Sequence, residues 1–360
     1  MENPSPVAFA LKSLSPNKSS NSSDEPFLVR NDASTSVGAV ILSLVFLVGV
    51  PGNLFVIWSI LAKSRRRSIT TMLILNLACA DGCLMALTIF FIVYLAKQTW
   101  VFSRFLCKTL FYLCNVNMYA SIMLITLMSL HRLVAVVWPH RVTVLQKKRI
   151  MVRILAGLWL LVLLLALPAV IFRRAREDKK QNRWECAPDH TAGSEVFQYT
   201  FETVVGFLLP YAVIVSSYVC ILRRLKRTKF KRTVRSENLI HAIIVIFGVF
   251  WLPYHIINII QVVAALCPED STLRRSLDRI WGSSRAVTSS LAFISSTVNP
   301  ILYTFKGRSY MKSNGLGFMA KLFEGTALDS GTRKARSEGV GMQPTESTTS
   351  AGNQAVINGK

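Results

Sequence analysis

Apolar residues in this chain come in seven long blocks, at about 37–62, 69–95, 107–137, 150–172, 196–222, 239–266 and 281–305. Each block reaches the roughly 20 residues that a helix needs to cross a hydrocarbon core. Backbone amides in lipid must pair within their own segment or around a closed barrel. A barrel needs short segments of alternating polarity, and these blocks do not alternate. The pattern therefore predicts an all-α membrane protein, a seven-transmembrane helix bundle over 37–305. Residues 1–36 form a polar tail without an apolar core, so the first span is expected to serve as the targeting segment. Residues 306–323 place Phe318, Met319, Leu322 and Phe323 beside Lys306, Arg308, Lys312 and Lys321. That mixture predicts a short amphipathic helix on the membrane surface, although Gly315 and Gly317 weaken it. Residues 324–360 are rich in Ser, Thr and Gly and are expected to be a disordered tail carrying candidate phosphosites.

Composition agrees. Hydrophobic residues are 51% of the 360 and charged residues only 17%, which excludes a disordered chain and disfavours an ordinary soluble enzyme. The net charge of +23 would suggest nucleic acid in a soluble protein. Here its placement gives another account. Lys63, Arg65, Arg66 and Arg67 follow the first span, Arg141, Lys147, Lys148, Arg149 and Arg153 follow the third, and eight cations from Arg223 to Arg235 follow the fifth. The loop after the fourth span is mixed, with six basic and five acidic residues between Arg173 and Glu195. Positive loops stay in the cytoplasm, so the N-terminus is expected outside and the C-terminus inside, in contact with membrane lipids and without nucleic acid. Sequons arise by chance in Ser-rich tails, but that orientation adds weight to Asn17-Lys18-Ser19 and Asn21-Ser22-Ser23 as candidate glycosylation sites.

Polar side chains inside spans are costly and tend to be functional. Asp81, Ser121, Ser296 and Asn299, with Asn53, fall at mid-depth. If the helices bundle, these oxygens can converge on one hard cation such as Na⁺; a structural cluster around a protonated Asp81 fits equally well. No other cofactor is implied. Arg132 ends the third span, where it could simply snorkel to headgroups. Pro51, Pro168, Pro210, Pro253 and Pro300 interrupt five spans and can kink them. Cys107 and Cys186 both fall outside, where disulfides persist; a bond between them would tie the second outer loop over the bundle and leave Cys267 over.

These landmarks, in this order and at these depths, resemble the rhodopsin-like class of G-protein-coupled receptors. The resemblance rests on Gly52-Asn53, Leu77-Ala78-Cys79-Ala80-Asp81, Cys107 and Arg132 25 residues apart, Trp159, Pro210 with Tyr218, Phe250-Trp251-Leu252-Pro253, and Asn299-Pro300-Ile301-Leu302-Tyr303. Asn117-Met118-Tyr119-Ala120-Ser121, Gly206-Phe207-Leu208-Leu209-Pro210, Phe250 to His255 and Ala320 to Gly325 are similar to the leukotriene B4 receptors within that class. The resemblance implies a plasma-membrane receptor for a lipid carboxylate, coupling to inhibitory heterotrimeric G proteins, guiding leukocytes, and meeting receptor kinases and arrestin at its tail. It also implies a switch in which Arg132, Tyr218 and Tyr303 regroup as the sixth span swings about Pro253. One departure is plain. The class carries Asp or Glu before the arginine of the third span, whereas this chain has His131. Without that acid the inactive state is expected to be held less tightly.

The outer halves of the spans give a separate clue to the ligand. Arg173 lies five residues past Pro168, Arg285 fifteen before Pro300, and Glu202 eight before Pro210. At ~1.5 Å per residue, Arg285 and Glu202 rise roughly 22 Å and 12 Å above their prolines. Two arginines against one glutamate suit an anion, because a guanidinium fork matches a carboxylate. Tyr119, Trp251, Tyr254, His255 and Asn258 are expected to line a deeper wall that fits a hydroxylated acyl chain. The plainer alternatives are that Arg173 ends its helix at the headgroups and that Arg285 pairs with Glu202 or Asp278. An amine ligand is disfavoured, since the third span carries no acid between Cys107 and Arg132. A retinal pigment is disfavoured because 281–305 contains no Lys. A chemoattractant peptide with a free carboxylate is the alternative ligand. A seven-helix transporter using Asp81 and Arg132 is the alternative class, though no internal repeat supports it. No Ser-His, paired-Asp or metal constellation points to an enzyme.

Overall fold

A computed structural model describes residues 32–63, 68–138, 148–179, 182–190, 193–227 and 234–314. The first span is Asp32–Trp58, prolonged by a π turn at Ser59–Lys63. The second is Ile69–Lys97 and the third Arg104–Val137. The fourth is Lys148–Leu165, followed by a short helix, Leu167–Ile171. The fifth runs through Ser194–Thr203, a π turn at Val204–Leu208, and Leu209–Arg227. The sixth is Val234–Leu266 and the seventh Thr272–Asn314. The first six are long and apolar enough to cross a membrane. The seventh is richer in Ser and Thr, and its buried face carries Thr288, Ser290, Ser295 and Ser296.

The segregation of side chains is that of a bundle in lipid. Leu44, Leu47, Leu160, Leu164, Val245 and Val249 point outward, while Asn53, Asp81, Ser129 and Asn258 are fully buried. The core proper is apolar as well: Val56, Leu73, Leu77, Ile122 and Tyr303 are almost wholly enclosed. Lipid tails are as apolar as leucine, so close packing drives helix association. Gly49 shows how close. A Cβ there would come within 2.8 Å of Met85 Cγ on the second span and 2.9 Å of Thr297 Oγ1 on the seventh.

Helix starts follow local chemistry. The Ser68 and Ser103 hydroxyls accept from the amides of Thr71 and Leu106, at 3.2 and 3.1 Å, which satisfies donors that a first turn leaves open. Pro168 stands in the first turn of its short helix, where a missing N–H costs nothing. Gly193 precedes the fifth span at φ 83°, a conformation that a side chain disfavours.

The segment after the fourth span, expected as a loop, is an antiparallel hairpin, β1 (Arg173–Asp178) and β2 (Arg183–Pro188). Ala175 faces Cys186 across it. Cys186 is bonded to Cys107 at the start of the third span, with Cα atoms 5.7 Å apart. Trp100 N–H donates to Trp184 O at 2.7 Å, so the first loop at this end holds the hairpin from its other side. We call this the disulfide end. At the opposite end the seventh span runs helical without a break to Asn314. Residues 306–314, expected to open a separate surface helix over 306–323, are part of it, and residues 315–360, with the candidate phosphosites, lie outside the described residues. Asn17 and Asn21 lie outside them too.

Candidate ligand-binding site

The seven helices leave a cavity beneath the hairpin at the disulfide end, with an empty volume of about 970 Å³ counting its open mouth. Its walls come from six spans, all but the fourth, and from β1. Arg173, Glu202, Trp251, Tyr254 and Arg285, all singled out in the sequence, line it together. Phe91, Phe111 and Phe293 form an aromatic wall, with Phe91 in edge contact with Phe111 at 5.4 Å and Phe293 at 6.1 Å.

The two arginines are held differently. Arg173 opens β1, not a helix end at the headgroups. Its guanidinium lies 3.7 Å from the Phe111 ring centroid, and Nη1 donates to Cys186 O at 3.4 Å. Arg285, 6% exposed, comes from the seventh span. Its Nη2 donates to Tyr254 Oη at 3.0 Å and its Nη1 to Asn258 Oδ1. Its guanidinium also stacks over the Tyr254 ring at 4.3 Å. Tyr254 Oη in turn donates to Glu202 Oε1. Arg285 therefore reaches Glu202 through a tyrosine, and among the described residues its hydrogen bonds go to neutral groups. Asp278 is engaged elsewhere, 3.8 Å from Arg274. The cavity thus carries two guanidinium charges against one carboxylate, enclosed by aromatic and aliphatic surface.

Three expected wall residues stand behind the cavity instead. Tyr119 is 1% exposed within the main core. His255 stacks on Phe207 at 4.7 Å and shares a hydrogen bond of 3.4 Å with Thr203 Oγ1. Asn258 is fully buried and anchors Arg285. The reason is packing between spans: Trp251, Tyr254, His255 and Asn258 share one face of the sixth span, but Phe207 of the fifth covers His255 and Arg285 of the seventh covers Asn258. Trp251 closes the floor, donating from Nε1 to Ser295 Oγ at 3.0 Å.

Sequence reasoning missed Phe111, Asn115, Met118, Gln198, Tyr199 and Ser289, all of which line the cavity. A signal was present. Phe111, Asn115 and Met118 repeat at helical spacing, Gln198 lies four residues before Glu202, and Ser289 four after Arg285.

Deeper in the bundle, Asp81 accepts from Asn117 Nδ2 and Ser121 Oγ at 3.3 Å each, and from Asn299 Nδ2 at 2.8 Å. Ser296 is buried beside them, and its backbone oxygen accepts from Asn53 Nδ2 at 3.3 Å. Asn53 Oδ1 and Asn117 Oδ1 are buried acceptors without a hydrogen-bond partner among the described residues. One carboxylate with hydroxyl and amide oxygens suits a hard monovalent cation. Among the described residues no three His, Cys, Asp or Glu side chains gather as a transition-metal site would require.

At the end opposite the disulfide, Tyr218 lies against His241, ring centroids 4.0 Å apart, joining the fifth and sixth spans. Tyr303 is buried on the seventh, Arg132 is half-buried on the third, and Pro253 sits inside the sixth helix two residues after Trp251.

A family profile described as 7 transmembrane receptor (rhodopsin family) matches residues 52–303. The chain belongs to the rhodopsin family of seven-transmembrane receptors. It is a multi-pass membrane protein, and a receptor rather than an enzyme or a transporter. Within this family it is 42% identical to human leukotriene B4 receptor 1 over 302 residues, covering 83% of this chain and 85% of that one. It is 36% identical to human leukotriene B4 receptor 2 over 308 residues, 84% of this chain and 85% of the relative. It is 29% identical to the rat C5a anaphylatoxin chemotactic receptor 1 over 333 residues, 87% and 92% of the two chains. The Cys107–Cys186 bond closes the rhodopsin-family bundle at the cavity mouth.

Proposed function

We propose that this receptor responds to an anionic lipid mediator of the leukotriene B4 type, couples to inhibitory G proteins and directs leukocyte chemotaxis. The observation that carries the reading is the pair Arg173 and Arg285 on one aromatic-walled cavity. The relatives named for leukotriene B4 point the same way. A carboxylate between two guanidinium groups makes charge-assisted hydrogen bonds, and the aromatic wall accepts an acyl chain.

In this reading the N-terminus and the disulfide end face outward and the cationic loops face the cytoplasm. Agonist binds the active arrangement better and shifts the population toward it. Trp251, beneath the cavity, passes the change to the sixth span at Pro253. Arg132, Tyr218 and Tyr303 regroup, and the cytoplasmic face receives the G protein, then receptor kinases and arrestin at the tail. Na⁺ held by Asp81, Ser121, Ser296 and Asn299 favours the inactive state.

The test is G-protein activation in membranes carrying the receptor, with leukotriene B4 titrated beside Arg173→Ala and Arg285→Ala. A saturable response weakened in either variant supports ligand and clamp together. No response from a folded, surface-expressed parent refutes the lipid assignment. A peptide with a free C-terminal carboxylate is the second reading, favoured by the likeness to a receptor named for C5a and by the open mouth. It is tested by the same titration with such peptides.

A further inference from the structure

A second groove lies beside the ligand cavity at the disulfide end. Arg104 and Lys108, from the first turns of the third span, face Arg174, Arg176 and Lys179 of the hairpin across it, with Trp184 on its wall. Glu177 is the one acid in that lining. Asp189, outside the lining, pairs with Arg174 at 3.0 Å. The Arg104 guanidinium lies 5.6 Å from the Trp184 ring centroid. Arg104, Arg174, Arg176 and Lys179 are exposed.

Two elements join this groove to the ligand cavity. On the third span Lys108 lines the groove and Phe111, one turn further, lines the cavity. On β1, Arg173 lines the cavity, and the next four residues, Arg174 to Glu177, line the groove. One strand therefore carries cations from the exposed groove to Arg173 in the cavity.

We propose that this groove is an admission site for the anionic ligand, which captures its carboxylate from solution and passes it along β1 to Arg173. The inference rests on the anionic-lipid reading above. Exposed charges hold an ion weakly, so the groove acts on the rate of arrival, not on the lifetime of the complex. A cleft lined mainly by one sign of charge raises the local concentration of the opposite ion, and association rates with it. The field fades with salt, since the Debye length shrinks from about 8 Å at physiological ionic strength to about 3 Å at 1 M.

The experiment measures association and dissociation rates of radiolabelled leukotriene B4 on the full receptor in membranes, at low and high salt. The variants are the triple change Arg104→Gln, Lys108→Gln, Lys179→Gln and the double reversal Lys108→Glu, Lys179→Glu. The second leaves the Arg104–Trp184 contact intact, so a fault of the hairpin shows as a difference between the two. Association slowed about tenfold at low salt, with dissociation unchanged and the difference gone at high salt, supports the inference. Association unchanged in both variants overturns it. Faster dissociation in the double reversal overturns it too, because the groove would then hold the ligand rather than pass it on. Absence of binding by the parent overturns the ligand assignment itself, and this inference with it.

Discussion

Arg285 donates a 3.0 Å hydrogen bond to the hydroxyl of Tyr254 while stacking 4.3 Å over the same ring. The tyrosine thereby fixes the guanidinium plane, and Asn258 fixes it from the other nitrogen. A planar fork so held is prepared for a carboxylate, and an ammonium is not its equivalent. Arg285→Lys keeps the charge but loses fork and stack. The expected outcome is an agonist response shifted by about thirtyfold or more to higher concentration, from the roughly 2–5 kcal/mol of a buried charged hydrogen bond. Tyr254→Phe is expected to weaken the response less, since Asn258 still orients Arg285. Concentration–response curves at matched surface expression check both.

Asp81 provides the sole carboxylate of its buried cluster, with Asn117, Ser121 and Asn299 bonded to it. Na⁺ bound there in the inactive state must oppose agonist by linkage. Replacing choline by sodium is expected to lower agonist affinity several-fold in the parent and to leave Asp81→Asn unaffected. A sodium effect that survives in Asp81→Asn would place the ion elsewhere.

His131 precedes Arg132 near the end of the third span, where the family's usual acid would pair with the arginine. A neutral or cationic imidazole supplies no carboxylate, so the inactive state is expected to be held less tightly. Basal nucleotide exchange on the G protein is expected to fall in His131→Asp. Equal basal rates in parent and variant would refute this.

Glu185 lies on β2, outside the spans and almost fully enclosed, 3.2 Å from Arg183. Burial pushes its carboxyl up to about 7, against the opposing pull of Arg183. A folded-state value above that of the unfolded chain means that the fold binds the proton more tightly. Its stabilisation is complete below the unfolded value near 4.3 and is lost as pH rises through about 7. Thermal stability of the detergent-solubilised receptor is expected to decline between about pH 5 and pH 8. Glu185→Gln, which mimics the protonated acid, is expected to flatten that slope.

The seven spans, the bundle class and the family landmarks were legible in the sequence, because a bilayer demands length and apolarity from each segment separately. Arg173, Glu202 and Arg285 were legible as candidates for the same reason: a charge near the end of an apolar block stands out against it. The Cys107–Cys186 pair could be suggested because so few cysteines lie outside the spans. What only the tertiary structure decided was direction and partnership. Packing between spans left Tyr254 open to the cavity and placed Tyr119, His255 and Asn258 behind it, and it brought Phe111 and Tyr199 forward. The hairpin, with Arg173 on one face and Arg174 on the other, depends on pairing across a turn and on a disulfide to a distant helix. Arg285 found Asn258 and Tyr254 on the sixth span rather than Asp278 on its own. Contacts between segments far apart in the chain depend on how whole helices pack, and no local pattern of residues encodes that.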